Sequence, residues 1–155
     1  MKFKQVTLFG ATGLIGGYLL KFLLKDSDIH LINLVGRKPF HLQHDKINNI
    51  VIDFEDFSSI LNSVSGSEIV FVSIGTTMSK VNGDKQKYKS VDFDIIFNIA
   101  KACKQKNVRQ LIYVSSLGAN SNSSNFYLRL KGEIDEAIAE LNLNSTSVFR
   151  PSVLL

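Results

Sequence analysis

Residues 4–25 read KQVTLFGATGLIGGYLLKFLLK, and this stretch decides the fold. Residues 4–9 (KQVTLF) have the composition of a buried strand. From residue 14 to residue 25, Leu14, Tyr18, Leu19, Phe22 and Leu23 recur with helical periodicity. The string GATGLIG joins the two. Gly10 turns tightly out of the strand, Gly13 lets a phosphate approach the backbone with no Cβ in the way, and Gly16 allows the helix to pack close to the sheet. The N–H groups at the helix start, from Thr12 through Gly13 and Leu14 to Ile15, then face an anion along the helix dipole. A glycine turn that follows a strand and opens a helix predicts a dinucleotide pyrophosphate site.

The rest of the chain repeats the strand–helix alternation. Strands are predicted at 30–35 (HLINLV), 49–53 (NIVID), 68–75 (EIVFVSIG), 110–116 (QLIYVSS) and 145–150 (STSVFR). Helices are predicted at 55–63, at 88–105 on Val91, Ile95, Ile96, Ile99 and Ala100, and at 126–141. The polar segment TTMSKVNGDKQKYKS (76–90) reads as a loop. Short strands apolar on both faces, separated by helices, predict a parallel sheet covered on both sides. Right-handed crossovers make it a doubly wound, three-layer αβα sheet of the Rossmann type.

Composition narrows the class. With 155 residues, 45% hydrophobic and 21% charged, residues 1–155 fit one globular domain. The single cysteine, Cys103, has no internal disulfide partner, so a reducing, cytoplasmic setting is expected and the thiol reads as a small buried hydrophobe. His30, His41 and His44 do not make a metal-ligand set, and no metal is expected. No run of about eighteen apolar residues predicts a membrane span. The net charge of +4 comes without a dense basic block, so no nucleic-acid footprint is expected. The chain ends at RPSVLL as its last strand finishes, and a substrate region is expected to lie beyond it.

The end of the second strand discriminates between cofactors. An acidic side chain there would accept hydrogen bonds from the ribose hydroxyls of NAD. This chain has LVGRKPF instead, placing Arg37 and Lys38 about twenty residues after the turn. Two cations suit the 2′-phosphate of NADP, and Arg37 can stack on adenine; the other reading is an ordinary exposed basic pair. Asp53, in VIDFED, ends the third strand, where it would meet the adenine edge or cap the next helix, a role open to Glu55 as well.

In NFYLRLKGEID, Tyr127 and Lys131 lie one helical turn apart on the same face. An ammonium near a phenol favours the phenolate, so such a pair can move a proton to or from a carbonyl oxygen during hydride transfer, and lysine can also bind ribose. The pair follows the strand LIYVSS, whose end opens onto the same crevice as the glycine turn. Ser115 and Ser116 stand at that end, where they would polarise a substrate carbonyl or cap the loop.

GATGLIG, LVGRKPF, VSIGTT, YVSSLGA, the Tyr127/Lys131 pair and VFRPSVLL together resemble the atypical short-chain dehydrogenase/reductases over essentially the whole chain. The resemblance implies an NADP(H)-binding oxidoreductase. Thr12, Gly13, Leu14 and Ile15 would contact phosphates, Arg37 and Lys38 the 2′-phosphate, and Ile74 and Gly75 would lie along the cofactor. Tyr127 would be the acid/base, Lys131 would bind ribose, and Leu154 would line the nicotinamide end. One departure is Leu117, where many extended members carry the catalytic Ser or Thr. Two functions fit this reading. One is hydride transfer to or from a small carbonyl or alcohol; the other is a non-catalytic NADPH-binding regulatory module that engages a protein partner.

Overall fold

Alternate residues of the first strand point to opposite sides of the sheet, and each side has its own core. The computed structural model of the chain describes residues 4–152. In β1 (Lys4–Phe9), Val6 and Leu8 pack with Leu20 and Leu23 of α1 (Leu14–Lys25) and with Ile32 and Leu34 of β2 (Ile29–Gly36). Phe9 faces the other way, into a larger core. Val70 and Val72 of β4 (Ile69–Val72) join it there, with residues of α2 (Phe57–Ser63), α4 (Ile96–Gln105) and α5 (Phe126–Glu140).

With β3 (Ile47–Val51), β5 (Gln110–Val114) and β6 (Thr146–Phe149), the strand order is β3-β2-β1-β4-β5-β6, and every pairing is parallel. The order reverses direction between β1 and β4. That is the switch point where a doubly wound sheet opens a crevice at the carboxyl ends of its strands. The expected doubly wound α/β sheet is the one formed.

Several boundaries and faces differ from the sequence reading. β3 begins at Ile47, and β4 stops at Val72 rather than at residue 75. Part of the predicted loop is helical: Asp84 accepts from the N–H groups of Gln86 and Lys87 and so starts α3 (Lys85–Lys89). The chain then winds as a π-helix over Ser90–Ile95 before entering α4. On this run the inward residues are Tyr88, Asp92, Ile96 and Ile99, spaced as one helical face, while Val91 and Ile95 are only half-buried. Of the apolar residues predicted on α1, Leu23 is in the smaller core and Leu19 packs against it, while the other three face outward. Gly16, Leu20 and Leu23 are buried, and Leu14, Tyr18 and Phe22 form an exposed stripe. The close contact at Gly16 fixes the rotation of the helix. The strands are not wholly apolar either. Thr7, Asn33 and Asn48 are register neighbours across β1, β2 and β3, and their side chains hydrogen-bond in a row.

Cys103 lies in the larger core with no exposed surface, and burial pushes its thiol up to about 12. Native protein at pH ~8 should therefore resist iodoacetamide and react only once unfolded, as read by intact-mass spectrometry. The sign for stability follows. The unfolded thiol ionises from its ordinary value of 9.0 upward while the buried one stays protonated, so this contribution is complete below that pH and is lost as pH rises towards 12. Melting temperatures compared with a Cys103→Ala variant read that loss.

Candidate active site

At the carboxyl end of β1 the chain turns through Gly10, whose φ of +91° is left-handed. The turn is held from across the sheet. The Ser73 hydroxyl, just past β4, lies 3.2 Å from the Phe9 carbonyl and 3.3 Å from that of Gly10, donating to both. A Cβ on Gly16 would stand 2.0 Å from the Gly10 carbonyl oxygen, so the helix sits directly on the turn. Gly13 is the N-cap of α1, and no side chain caps the helix. The first-turn N–H groups have no intrahelical acceptors, but that of Gly13, expected to face the anion, donates to the Gly10 carbonyl at 3.1 Å. Thr12, Gly13 and Leu14 are exposed and Ile15 is half-buried, so an anion can reach this end.

Arg37 and Lys38 directly follow β2 and are exposed, with no ion pair or side-chain hydrogen bond among the described residues. They are free to pair with an arriving phosphate. Asp53 accepts from the Glu55 N–H at 2.9 Å in a local turn, while Asp56 is the residue that caps α2. Neither Asp53 nor Glu55 is therefore the helix cap. Ile74 and Gly75 continue from Ser73 over the mouth of the crevice; Ile74 packs on the larger core and Gly75 is exposed. Leu154 lies outside the described residues.

Asn125 caps α5 by accepting from the Leu128 N–H, which sets Tyr127 in the first turn and Lys131 in the second. The Lys131 Nζ lies 5.8 Å from the centre of the Tyr127 ring. Tyr127 is 39% exposed, whereas Lys131 is only 4% exposed. The Lys131 ammonium forms an ion pair of 2.9 Å with Asp92 Oδ1, and Asp92 Oδ2 accepts from the Thr76 N–H at 2.9 Å. Tyr88, edge-on to both Phe126 and Tyr127, closes the group from α3. Burial first, and then the Asp92 carboxylate, hold the Tyr88 phenol well above the usual tyrosine range.

The paired serines diverge. Ser115 donates to Asp135 at 3.0 Å, and Tyr113 donates to the same carboxylate at 2.8 Å. Arg150 completes the cluster through Nε and Nη2. The Ser115 hydroxyl is thus tied into a link between β5, α5 and the end of β6. Among the described residues the Ser116 hydroxyl makes only a 3.3 Å contact with the neighbouring Leu117 carbonyl. The loop after them packs on α5 at Gly132, where a Cβ would stand 2.1 Å from the Ser121 nitrogen.

The fold thus gathers the glycine turn, Ile74 and Gly75, Ser116 and the Tyr127/Lys131 pair around the carboxyl ends of β1, β4 and β5. Four further contributors escape the sequence reading: Ser73, Asp92, Tyr88 and Gly132. Asp92 carried one usable signal, a carboxylate at helical spacing from Tyr88 and Ile96 on an otherwise apolar face.

A protein-family model described as NAD(P)H-binding matches residues 10–154. Protein HTATIP2 of Rattus norvegicus is 34% identical over 158 residues, which cover 100% of this chain and 64% of that protein. A protein of Debaryomyces hansenii named FMP52, mitochondrial, is 33% identical, covering 96% of this chain and 66% of its own. The chain therefore spans about two-thirds of the length of these curated relatives. The crystal structure of a short-chain dehydrogenases/reductase from Veillonella parvula superposes with a TM-score of 0.70 at 26% identity, over 96% of this chain and 68% of that one.

Proposed function

The chain belongs to the NAD(P)H-binding family, and from that premise we propose that it is an NADPH-dependent reductase of a small carbonyl compound. The observation that carries this reading is the phenol of Tyr127 beside the buried, fixed ammonium of Lys131. Bound NADPH supplies a hydride from its nicotinamide end. The N–H groups of Thr12, Leu14 and Ile15 hold the pyrophosphate, with Gly10, Gly13 and Gly16 giving it room, while the Gly13 N–H stays on the Gly10 carbonyl. Arg37 and Lys38 hold the 2′-phosphate, Asp53 meets the adenine edge, and Ile74 and Gly75 line the crevice. Tyr127 donates its proton to the carbonyl oxygen, Lys131 orients the ribose, and Ser116, the less engaged of the two serines, hydrogen-bonds that oxygen.

A panel of aldehydes, ketones and quinones tests the reading by carbonyl-dependent absorbance loss at the nicotinamide band. Deuterium placed at the transferring position of NADPH should appear on the alcohol carbon. Tight NADPH binding with no turnover across the panel would move the chain to the regulatory-module reading, with a protein partner as its target.

The cofactor preference has its own test. Arg37→Ala combined with Lys38→Ala removes two charge-assisted contacts, so NADPH affinity should fall by about 10- to 100-fold. NADH affinity should stay within about twofold, since NADH has no 2′-phosphate to lose. Equal losses by fluorescence titration would remove the assignment. Cytoplasmic residence belongs to this proposal and is supported by the lone, buried Cys103. Among the described residues no helix is long and apolar enough to cross a membrane, and the fungal relatives are named mitochondrial, so cell fractionation decides the compartment.

A further inference from the structure

We infer that Lys85 and Arg129, beside Phe126, form a subsite for an anionic oxygen group, a carboxylate or a phosphate, on the carbonyl compound reduced at this site. The inference names the substrate class of the reductase reading and rests on that reading. Residues 76–90, which include α3, are tied to the Tyr127/Lys131 pair near both ends. Thr76 donates its N–H to Asp92, the partner of Lys131, and Tyr88 stands edge-on to Tyr127 with ring centres 6.4 Å apart. The same segment carries Lys80, Lys85, Lys87 and Lys89, all exposed, against Asp84 alone. The Asp84 carboxylate is engaged in capping α3. A chain with a net charge of only +4 thus concentrates cations beside its candidate site, where they attract anions.

Two of the cations converge on one ring next to the phenol. The Lys85 Nζ lies 5.3 Å from the centre of the Phe126 ring, and the Arg129 guanidinium lies 5.9 Å from it. Tyr88 links that ring to Tyr127, standing edge-on to Phe126 at 5.7 Å. Arg129 is held in place, because its Nη1 donates to the Ser123 carbonyl at 2.9 Å and to that of Ser124 at 3.4 Å. Those acceptors are neutral, so its charge is not cancelled. Among the described residues neither cation makes an ion pair, although Glu133 follows Arg129 by one helical turn. Each contact with the ring is favourable, but the two positive charges repel one another, and an anion beside them relieves that repulsion. A positioned guanidinium and a flexible ammonium are the donors that carboxylates and phosphates take.

The test uses three para-substituted benzaldehydes: 4-formylbenzoate, 4-formylphenyl phosphate and the neutral methyl 4-formylbenzoate. The protein is saturated with NADP⁺, which has no hydride to give, and binding is followed by NMR titration of the backbone amides. At least one anion should bind about 10-fold more tightly than the ester and shift the Phe126 and Arg129 amides; the tighter one names the group. Lys85→Gln combined with Arg129→Gln should abolish that preference, with the affinities for ester and NADP⁺ staying within about twofold. Lys85→Glu changes an exposed residue, so it decides alone, by the same loss, if the double variant does not fold. Equal affinity for the anions and the ester overturns the subsite, and so does a preference that survives the substitutions. A parallel fall in NADP⁺ affinity overturns it too, because the two cations would then serve the cofactor. Turnover with NADPH separates the two readings. An anion preference without turnover of any aldehyde keeps the subsite and removes the reductase, and turnover with equal affinities does the reverse.

Discussion

Replacing Gly16 with alanine should destabilise the chain by about 4 kcal/mol and abolish NADPH binding. The added Cβ would stand 2.0 Å from the Gly10 carbonyl oxygen and 2.6 Å from the Ser73 hydroxyl. Backbone sits on one side of the clash and a sheet-bound serine on the other, so neither can yield without opening the turn. α1 would have to lift, and its N-terminal N–H groups would leave the position they hold against the crevice. Gly13→Ala is the control. Its Cβ would meet nothing nearer than the Gly10 oxygen at 3.5 Å, an ordinary contact. That variant should fold normally and lose only cofactor affinity, because its methyl occupies the approach to the phosphates. Urea unfolding and NADPH fluorescence separate the two outcomes. A Gly16→Ala protein as stable as wild type would mean that α1 does not rest on the turn.

Tyr127→Phe should reduce carbonyl-dependent turnover by about 10²- to 10⁴-fold. NADPH affinity should change by less than about twofold, because the phosphate and 2′-phosphate contacts lie elsewhere on the chain. Stability should also be nearly unchanged. The ring is 39% exposed, and its hydroxyl makes no hydrogen bond among the described residues, so the substitution leaves no buried group unsatisfied. A large drop in turnover at constant affinity and constant melting temperature is the pattern of a proton donor. A parallel loss of affinity would instead place Tyr127 in cofactor binding.

Features carried by local spacing were legible in the sequence. The glycine turn, the parallel alternation and the Tyr127/Lys131 pair each depend on residues within a few positions of one another, where strand and helix periods alone place side chains. In the site, what escaped depends mainly on partners far along the chain. Ser115 reads as a catalytic candidate until Asp135, twenty residues later, is seen to take its hydroxyl. Asp92 reads as one more helix carboxylate until Lys131 is seen beside it. The outward stripe of α1 shows the same limit. Leu14, Tyr18 and Phe22 follow a helical period, but a backbone contact at Gly16, which no hydropathy pattern registers, decides which side faces the sheet. Lys85–Lys89 escaped because its helix is set by an aspartate cap rather than by an apolar face.

The hydroxyl of Ser73 gives the glycine turn a property that its compact sequence hides. The turn closes locally through the Gly13 N–H on the Gly10 carbonyl, but its tie to the sheet comes from a residue 63 positions downstream of Gly10. During synthesis the segment through α1 can emerge and form its local bond, but the turn is fixed against the sheet only when β4 docks beside β1. Nucleotide affinity should therefore reach its full value only with the assembled switch point.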